Sequence, residues 1–204
     1  MKIVISESQY KRLIEAEEEQ KVLKIPSLNF FKNDWFLLQK FLEKKGNPPY
    51  SIGGDLDLRR TPIKSLGDLQ SVGGDLNLYN TSLESLGNLQ SVGGYLDLQN
   101  TSIESLGNLK SVGGDLYLRR TPIKSLGNLQ SVGGYLDLRI TPIKSLGNLQ
   151  SVDGDLNLRS TPIKSLGNLQ SVDGDLDLND TPISEKYSEK QIRQMVKVYA
   201  KIYL

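Results

Sequence analysis

The stretch GGDLDLRRTPIKSLGDLQSV, residues 53–72, decides the fold, because further copies of it follow without insertion or deletion. These copies start at positions 73, 93, 113, 133, 153 and 173, so the sequence repeats every 20 residues. A period of about 20 to 50 residues is typical of solenoids, in which each unit buries its apolar face only against its neighbours. We therefore predict an elongated stack of seven 20-residue rungs.

We number the positions of each copy as columns 1–20. Columns 4 and 6 are Leu in every copy, from Leu56 and Leu58 to Leu176 and Leu178. Residues two apart in a strand point to the same face, so these leucines are predicted to fill the core while columns 3, 5 and 7 face outward. Column 11 is Ile or Leu in every copy, and columns 14, 17 and 20 add Leu, Leu and Val in six full copies. The repeat thus predicts an α/β solenoid dominated by β-structure.

Several polar columns have structural interpretations. Thr occupies column 9 in every copy, beginning with Thr61, and its hydroxyl is predicted to bond backbone groups at a corner. Gly in columns 2 and 15 is expected to supply turn conformations that bulkier residues resist. Ser in columns 13 and 19 is expected to cap turns.

The string VGGDLNLYNTSLESLGNL, residues 72–89, resembles a leucine-rich repeat, whose pattern is L-x-x-L-x-L-x-x-N/C-x-L. One extra residue precedes the Leu-x-Leu strand, and Thr81 stands where Asn or Cys is expected. Both features are similar to the ligand-binding L domains of growth-factor and insulin receptors. The resemblance implies a compact right-handed β-helix and a role in binding proteins. Those domains are flanked by cysteines, which this chain lacks, so hormone binding is not carried over.

Both ends are predicted to form helical caps, because a stack exposes apolar rungs and unpaired strand edges. Residues 1–52 are expected to form an N-terminal cap, with one helix opening at Ser6 and another at Asn33 or Asp34. The segment Tyr50-Ser51-Ile52 resembles the Gln-Ser-Val end of a copy, so the cap should lead directly into the first rung. The solenoid itself is assigned to residues 53–184.

Residues 185–204 are expected to form a C-terminal amphipathic helix that opens at Ser188. Its apolar face is predicted to contain Ile192, Met195, Val196, Tyr199, Ile202 and Tyr203. This face either covers the last rung or, through the first four of these residues, docks a partner or a second copy of the chain.

The composition excludes several classes of site. The chain has 204 residues, a net charge of +1, no Cys and no His, which excludes disulfides, thiolate or imidazole metal sites and histidine acid–base catalysis. So small a net charge gives no field that favours nucleic acid. We expect no cofactor, no metal site, no catalytic residue and no specific nucleic-acid partner.

The first residues, MKIVISESQYKRLI at positions 1–14, resemble the openings of uncharacterised proteins of tailed bacteriophages. This likeness favours a phage or bacterial source. The opening has no apolar signal-peptide core, and no run approaches the roughly 18 apolar residues of a membrane span. We expect a cytoplasmic protein, located in the host cytoplasm or the virion if a phage encodes it.

Columns 3, 5 and 7 place acidic and basic rows side by side on the outward strand face. Exposed salt bridges worth little each would explain these rows without a ligand. Tyrosines interrupt the rows on central rungs, however, and Tyr and Arg are favoured hot-spot residues. The candidate ligand-binding residues are Tyr79, Tyr95, Tyr117, Tyr135, Asp97, Asp137, Arg119, Arg139 and Arg159.

These features predict a non-enzymatic binding or adaptor protein that recognises a protein, with a glycan as the alternative ligand. The second hypothesis is a structural part of a larger particle such as a virion, docked through the terminal helices. The third is a glycan-active enzyme of the β-helix type, using Asp55 with Asp57 or Asp175 with Asp177. Acid–base catalysis needs two carboxylates in different environments, whereas these pairs recur in one solvent-facing setting.

Overall fold

A computed structural model describes residues 22–204 as a parallel β-solenoid of about six turns. The predicted β-dominated solenoid with helical ends is confirmed. The helix expected to open at Ser6 lies outside the described residues. None of the helices within residues 22–204 is long and apolar enough to span a bilayer.

Each copy contributes short strands to two parallel sheets. The first sheet contains β1 (Leu23–Ile25), β2 (Tyr50–Ile52), β4 (Leu69–Val72), β6 (Ser91–Val92), β8 (Ser111–Val112), β10 (Ser131–Val132), β12 (Ser151–Val152), β14 (Ser171–Val172) and β16 (Lys197–Val198). The second contains β3 (Leu56–Asp57), β5 (Leu76–Asn77), β7 (Leu96–Asp97), β9 (Leu116–Tyr117), β11 (Leu136–Asp137), β13 (Leu156–Asn157), β15 (Leu176–Asp177) and β17 (Ile202–Tyr203). In the second sheet, one strand comes from each copy: β3, β5, β7, β9, β11, β13 and β15. The solenoid has about six turns, slightly fewer than the seven rungs predicted.

The strands pair in register with the same column of the next copy. Leu56 lies opposite Leu76 in the second sheet, and Ser71 lies opposite Ser91 in the first. The core columns are buried as predicted: Leu76, for example, is 0% exposed. At about 25 cal/mol per Å² of apolar surface, each such side chain contributes roughly 2 kcal/mol before entropy is subtracted.

The corners are built by local hydrogen bonds. Each column 9 Thr donates its hydroxyl to the carbonyl of the column 6 Leu in its own rung, as Thr101 does to Leu98 at 2.7 Å. Each column 13 Ser accepts from the backbone N–H of the column 15 Gly, as Ser105 does from Gly107 at 3.1 Å. These expectations are confirmed, and so is the turn conformation of the column 15 glycines, whose φ angles lie between 56° and 61°. The column 19 serines instead lie in strands of the first sheet, because their backbone pairs with the next copy.

The glycines of column 2 serve a different purpose from the one expected. They are not in the left-handed region; instead, the preceding rung packs against their Cα atoms. A Cβ on Gly74 would collide with the carboxylate of Asp55 and lie 3.0 Å from its backbone nitrogen. The requirement in column 2 is therefore for space between rungs.

Column 8 carries a backbone constraint that the sequence analysis missed. Its residues have φ between 56° and 59°, in the left-handed region, although none is Gly: they are Arg60, Asn80, Asn100, Arg120, Ile140, Ser160 and Asp180. This conformation is tolerated by Asn and Asp but is strained for a β-branched side chain. Ile140 is thus a strained corner, and its side chain is 49% exposed.

The N-terminal cap consists of β1, a 3₁₀ helix (Leu28–Phe31) and α1 (Trp35–Lys44). Asp34 caps α1 by accepting from the backbone nitrogens of Phe36 at 2.8 Å and Leu37 at 3.1 Å, which confirms the predicted helix start. The entry into the first rung is also confirmed, because Ile52 pairs with Val72. Trp35, Leu38 and Leu42 are the buried residues of α1.

At the C-terminus, the prediction of one helix through Tyr203 is wrong. The chain forms α2 (Pro182–Lys186) and α3 (Glu189–Met195) and then β16 and β17, which pair with β14 and β15. Helix α3 ends at Met195 because the residues that follow it form hydrogen bonds with the unpaired strand edges of the last copy. Arg193 fixes this arrangement by donating to the carbonyls of Val198 at 2.6 Å and Ala200 at 2.9 Å.

Replacing Gly154 with Ala should lower the free energy of unfolding by about 1–3 kcal/mol. The added Cβ would lie 2.6 Å from the carbonyl carbon of Gly134 and 2.9 Å from the nitrogen of Tyr135. These are backbone atoms of the stack, so they cannot rotate aside as a side chain can. Urea denaturation measures the loss.

The matched control is Gly54→Ala, in the same column of the first copy. There an added Cβ would meet the Pro26 oxygen and the Ser27 Cβ at 3.5 Å, an ordinary contact. We expect a change within about 0.5 kcal/mol. Equal losses in both variants would contradict the explanation by contact between rungs.

Replacing Ile140 with Asn should raise the free energy of unfolding by about 1 kcal/mol, because Asn accepts the left-handed backbone and little apolar burial is lost. The reverse change in the same column, Asn100→Ile, should lower it by a similar amount. Thermal and urea unfolding of the two variants check this, and a loss of stability in Ile140→Asn would refute the assignment of strain.

Candidate functional site

Columns 3, 5 and 7 lie along the outward side of the second sheet. Column 5 belongs to its strands, column 3 comes just before each strand, and column 7 comes shortly after it. Neighbouring strands lie about 4.8 Å apart, so side chains of one column form a close row. We call this surface, made by columns 3, 5 and 7 of all copies, the strand face. It contains every residue that the sequence analysis proposed for ligand binding.

The column 3 aspartates serve the fold. Each accepts, through one carboxylate oxygen, the backbone N–H of the same column in the next rung. Asp75 accepts from Tyr95 at 2.9 Å, and Asp115 accepts from Tyr135 at 2.7 Å. The last of them, Asp175, accepts from Lys201 at 2.9 Å and so anchors the C-terminal segment. This backbone support by column 3 was not predicted from the sequence, because it joins residues of successive rungs.

The six Asp and Asn residues of column 5 also support the backbone. Their side-chain oxygen accepts the N–H of column 7 two residues later, which is the geometry of an Asx-turn. Asp97 accepts from Gln99 at 2.9 Å, and Asn77 accepts from Tyr79 at 3.1 Å. Asp and Asn therefore perform the same structural task in this column.

Three of the predicted tyrosines meet in a continuous row. The ring centroids of Tyr95 and Tyr117 lie 6.4 Å apart with an interplanar angle of 69°, and those of Tyr117 and Tyr135 lie 6.2 Å apart at 65°. Both pairs are edge-to-face, a favourable aromatic geometry. We call these residues the tyrosine ladder. It crosses the middle of the strand face and is half-buried.

Hydrogen bonds fix the ladder in place. The Tyr117 hydroxyl donates to the Asp115 carboxylate at 2.7 Å, and this bond raises the pKa of Tyr117 to about 12. The Tyr95 hydroxyl accepts from the Asn77 amide at 3.4 Å. Burial raises the pKa of Tyr135. Hydrogen bonds and edge-to-face contacts therefore hold the ladder as an ordered aromatic surface.

Beside the ladder, Asp137 and Arg139 form a bidentate pair. The guanidinium donates from Nε at 2.8 Å and from Nη2 at 2.6 Å to the two carboxylate oxygens. Asp137 is only 3% exposed, whereas the Arg139 side chain is 34% exposed. Hydrogen bonding to Asp137 raises the pKa of Arg139, so the guanidinium is a fixed cation at the surface.

Asp97 lies on the other side of Tyr117 in column 5, and no cation within residues 22–204 forms an ion pair with it. Its strand register places it opposite Tyr117, and burial raises its pKa. It lines a depression of about 480 Å³ together with Arg59, Arg60, Asn77 and Tyr79. The structure therefore places Tyr79 outside the ladder but beside Asp97.

The remaining arginines differ in their surroundings. Arg159 is exposed and lies 3.4 Å from the Asp180 carboxylate through its Nε. Arg119 lies two residues after Tyr117, just as Arg139 lies two residues after Asp137. The rung of Arg119 therefore has a phenol at the position where the rung of Arg139 has a carboxylate. Its Nε is buried and has no hydrogen-bond partner among residues 22–204.

The proposed docking residues at the C-terminus are divided by the structure. Ile192 and Val196 are buried in the core cluster of the chain, so they are not available to a partner. Met195 and Tyr199 are 50% and 70% exposed, respectively. Of the four residues in the docking hypothesis, only Met195 and Tyr199 are therefore exposed to a partner. Ile192 and Val196 are buried because α3 is short and the chain continues into β16, which pairs with the last copy.

The carboxylate pairs considered for catalysis are engaged in the fold. Asp55 accepts from the backbone of Asp75 at 2.9 Å, and Asp57 pairs with Arg59 at 3.0 Å. Asp177 accepts from the backbone of Asn179 at 3.0 Å. In the part of the chain that the structure describes, no three acidic side chains converge as metal ligands would.

Replacing Asp115 with Asn should lower the pKa of Tyr117 from about 12 towards its ordinary value of 10.0. The amide keeps one oxygen for the Tyr135 N–H but loses the acceptor for the phenol. Because the folded pKa is raised, this bond stabilises the fold below pH 10 and ceases to do so as the pH rises through 12. NMR titration of the Tyr117 ring in Asp115→Asn and in the control Asp155→Asn measures the difference, and identical titrations would contradict the assignment.

Comparison of the chain with protein-family models, with curated proteins and with solved structures returned no match.

Proposed function

We propose that this chain is a non-enzymatic binding protein that recognises a protein partner through the tyrosine ladder on its strand face. The observation that carries the proposal is the ladder itself, in which Tyr95, Tyr117 and Tyr135 replace the repeated polar side chains on three successive rungs. Large aromatic side chains that are already ordered lose little entropy on binding. Tyrosine is also enriched among residues that dominate binding energy.

The surroundings of the ladder support a binding role. Arg139, held by Asp137, presents a fixed guanidinium next to Tyr135, and Arg is a second favoured hot-spot residue. The aspartates of columns 3 and 5 are occupied by backbone hydrogen bonds, which supports a non-catalytic role. The likeness of the copies to leucine-rich repeats agrees with protein recognition, and a cytoplasmic site of action belongs to the same proposal.

A structural role in a larger assembly is the second candidate. It is favoured by the exposed Met195 and Tyr199 at the C-terminal end of the stack. Apolar side chains at the end of a solenoid can join it to another subunit.

Replacing Tyr95, Tyr117 and Tyr135 together by Ser should abolish capture of the partner from an extract of the source cells. The expected loss is at least about 100-fold in affinity, measured by calorimetry with the purified captured protein. Circular dichroism should show an intact solenoid, because the core leucines are unchanged.

The control is the double variant Met195→Ser with Tyr199→Ser, which alters exposed side chains away from the ladder. It should bind the partner as the unmodified chain does. Loss of binding in this variant alone, together with a fall in molar mass by light scattering, would favour the assembly role and overturn recognition by the ladder.

A further inference from the structure

The charge of Asp97 is not required by the backbone. Its structural task is to accept the N–H of column 7, and Asn77 and Asn157 do this in other rungs at 3.1 Å each. An uncharged amide therefore satisfies the same Asx-turn. The carboxylate at position 97 has to be explained by something other than the turn.

The charge of Asp97 also lies in an unfavourable place. Asp57 pairs with Arg59 at 3.0 Å and Asp137 with Arg139 at 2.6 Å, whereas column 7 of the Asp97 rung is the neutral Gln99. None of the ion pairs within residues 22–204 includes Asp97. A half-buried carboxylate without a cation destabilises the fold, and its raised pKa agrees with this.

Three tyrosines lie on the rung of Asp97 or on the adjoining rungs. Tyr95 lies two residues before Asp97 on β7, Tyr117 lies opposite it on β9, and Tyr79 lines the same depression of about 480 Å³. The faces of aromatic rings carry partial negative charge and attract cations. A carboxylate among three tyrosines thus has the chemistry of a site for an ammonium or guanidinium group.

The wider strand face has the same sign. Columns 3, 5 and 7 of the copies contain nine aspartates and four arginines, a net charge of −5. Of the two arginines in the depression, Arg59 is neutralised by Asp57, and Arg60 is an exposed corner residue. A cationic partner is therefore electrostatically complementary to the face as a whole.

We propose that Asp97, with Tyr79, Tyr95 and Tyr117, binds a lysine or arginine side chain of the protein partner. This inference rests on the proposed function and names the chemistry of the group that it recognises. Asp97 is the residue that pairs with the cation, and the tyrosines contact its alkyl stem and charged head. A cation neutralises the charge at position 97 only when the partner is bound.

The test uses short probes of defined charge with the full chain. Acetylated tetralysine amide should shift the ring resonances of Tyr95 and Tyr117 in NMR titrations, whereas acetylated tetraglutamate amide and neutral cellohexaose should not. Asp97→Asn should weaken tetralysine binding by at least about fivefold, since it removes one charge-assisted contact. The matched control Asp177→Asn, which removes an equal charge from the same column outside the depression and keeps the Asx-turn, should change it by less than about twofold.

Two further readouts separate this inference from a general effect of charge. Arg60→Asn keeps a residue that suits the left-handed corner and removes a positive charge from the depression, so tetralysine binding should tighten. Asp97→Asn should also melt at a higher temperature than the unmodified chain at pH 7. That difference should disappear below the ordinary Asp pKa of 3.8, where the native carboxyl is protonated as well.

Several outcomes would overturn the inference. Unchanged tetralysine binding in Asp97→Asn excludes the carboxylate as the cation site, and binding of tetraglutamate that weakens in Arg60→Asn shows an anionic partner instead. Binding of cellohexaose that persists in Asp97→Asn indicates a glycan. If tetralysine does not bind while the triple tyrosine variant still loses its native partner, the proposed function stands and the cation site is rejected.

Discussion

Direct stacking of each residue on its counterpart in the next copy holds this solenoid together. The stacking buries the leucines of columns 4 and 6 and brings the backbones of adjacent rungs into contact at column 2. Within the repeat, both effects follow from the constant 20 residues of each copy, which place every column opposite itself in the next rung. One extra residue within a strand would carry the leucines to the outward face, because strand side chains alternate between faces. At the C-terminal end a longer turn of 26 residues still pairs in register, because its extra residues form helices outside the strands.

Much of the fold could be predicted because burial repeats with the period. The core columns, the hydroxyl of Thr101 at its corner and the cap at Asp34 all follow from local patterns. The left-handed corner at column 8 was missed, although Asn80 and Asn100 are residues that favour it. The C-terminal strands could not be foreseen, since β16 and β17 form by pairing with the free edges of the preceding copy and only weakly reflect their own sequence.

On the strand face, many polar residues support the backbone, and others form the surface proposed for recognition. Sequence alone indicated which side chains point outward, and the tyrosine positions marked where the copies differ. It did not reveal that Asp115 holds both the Tyr117 hydroxyl and the Tyr135 backbone, because this link joins successive rungs. Nor did the sequence separate Asp137, which pairs with Arg139, from Asp97, which has no ion pair within residues 22–204. This difference depends on which residue occupies column 7 and on how deeply each carboxylate is buried.

The C-terminal segment continues both sheets without belonging to the repeat, and β1 continues the first sheet at the other end. Between these ends, every copy starts and finishes at the same column. An in-frame duplication or deletion of one unit of coding sequence would thus lengthen or shorten the stack by one whole turn and leave both ends intact. The proposed recognition surface lacks this freedom, because a copy inserted between Tyr95 and Tyr117 would separate their rings by one additional turn. Evolution can change the length of this protein more easily than it can change the middle of its strand face.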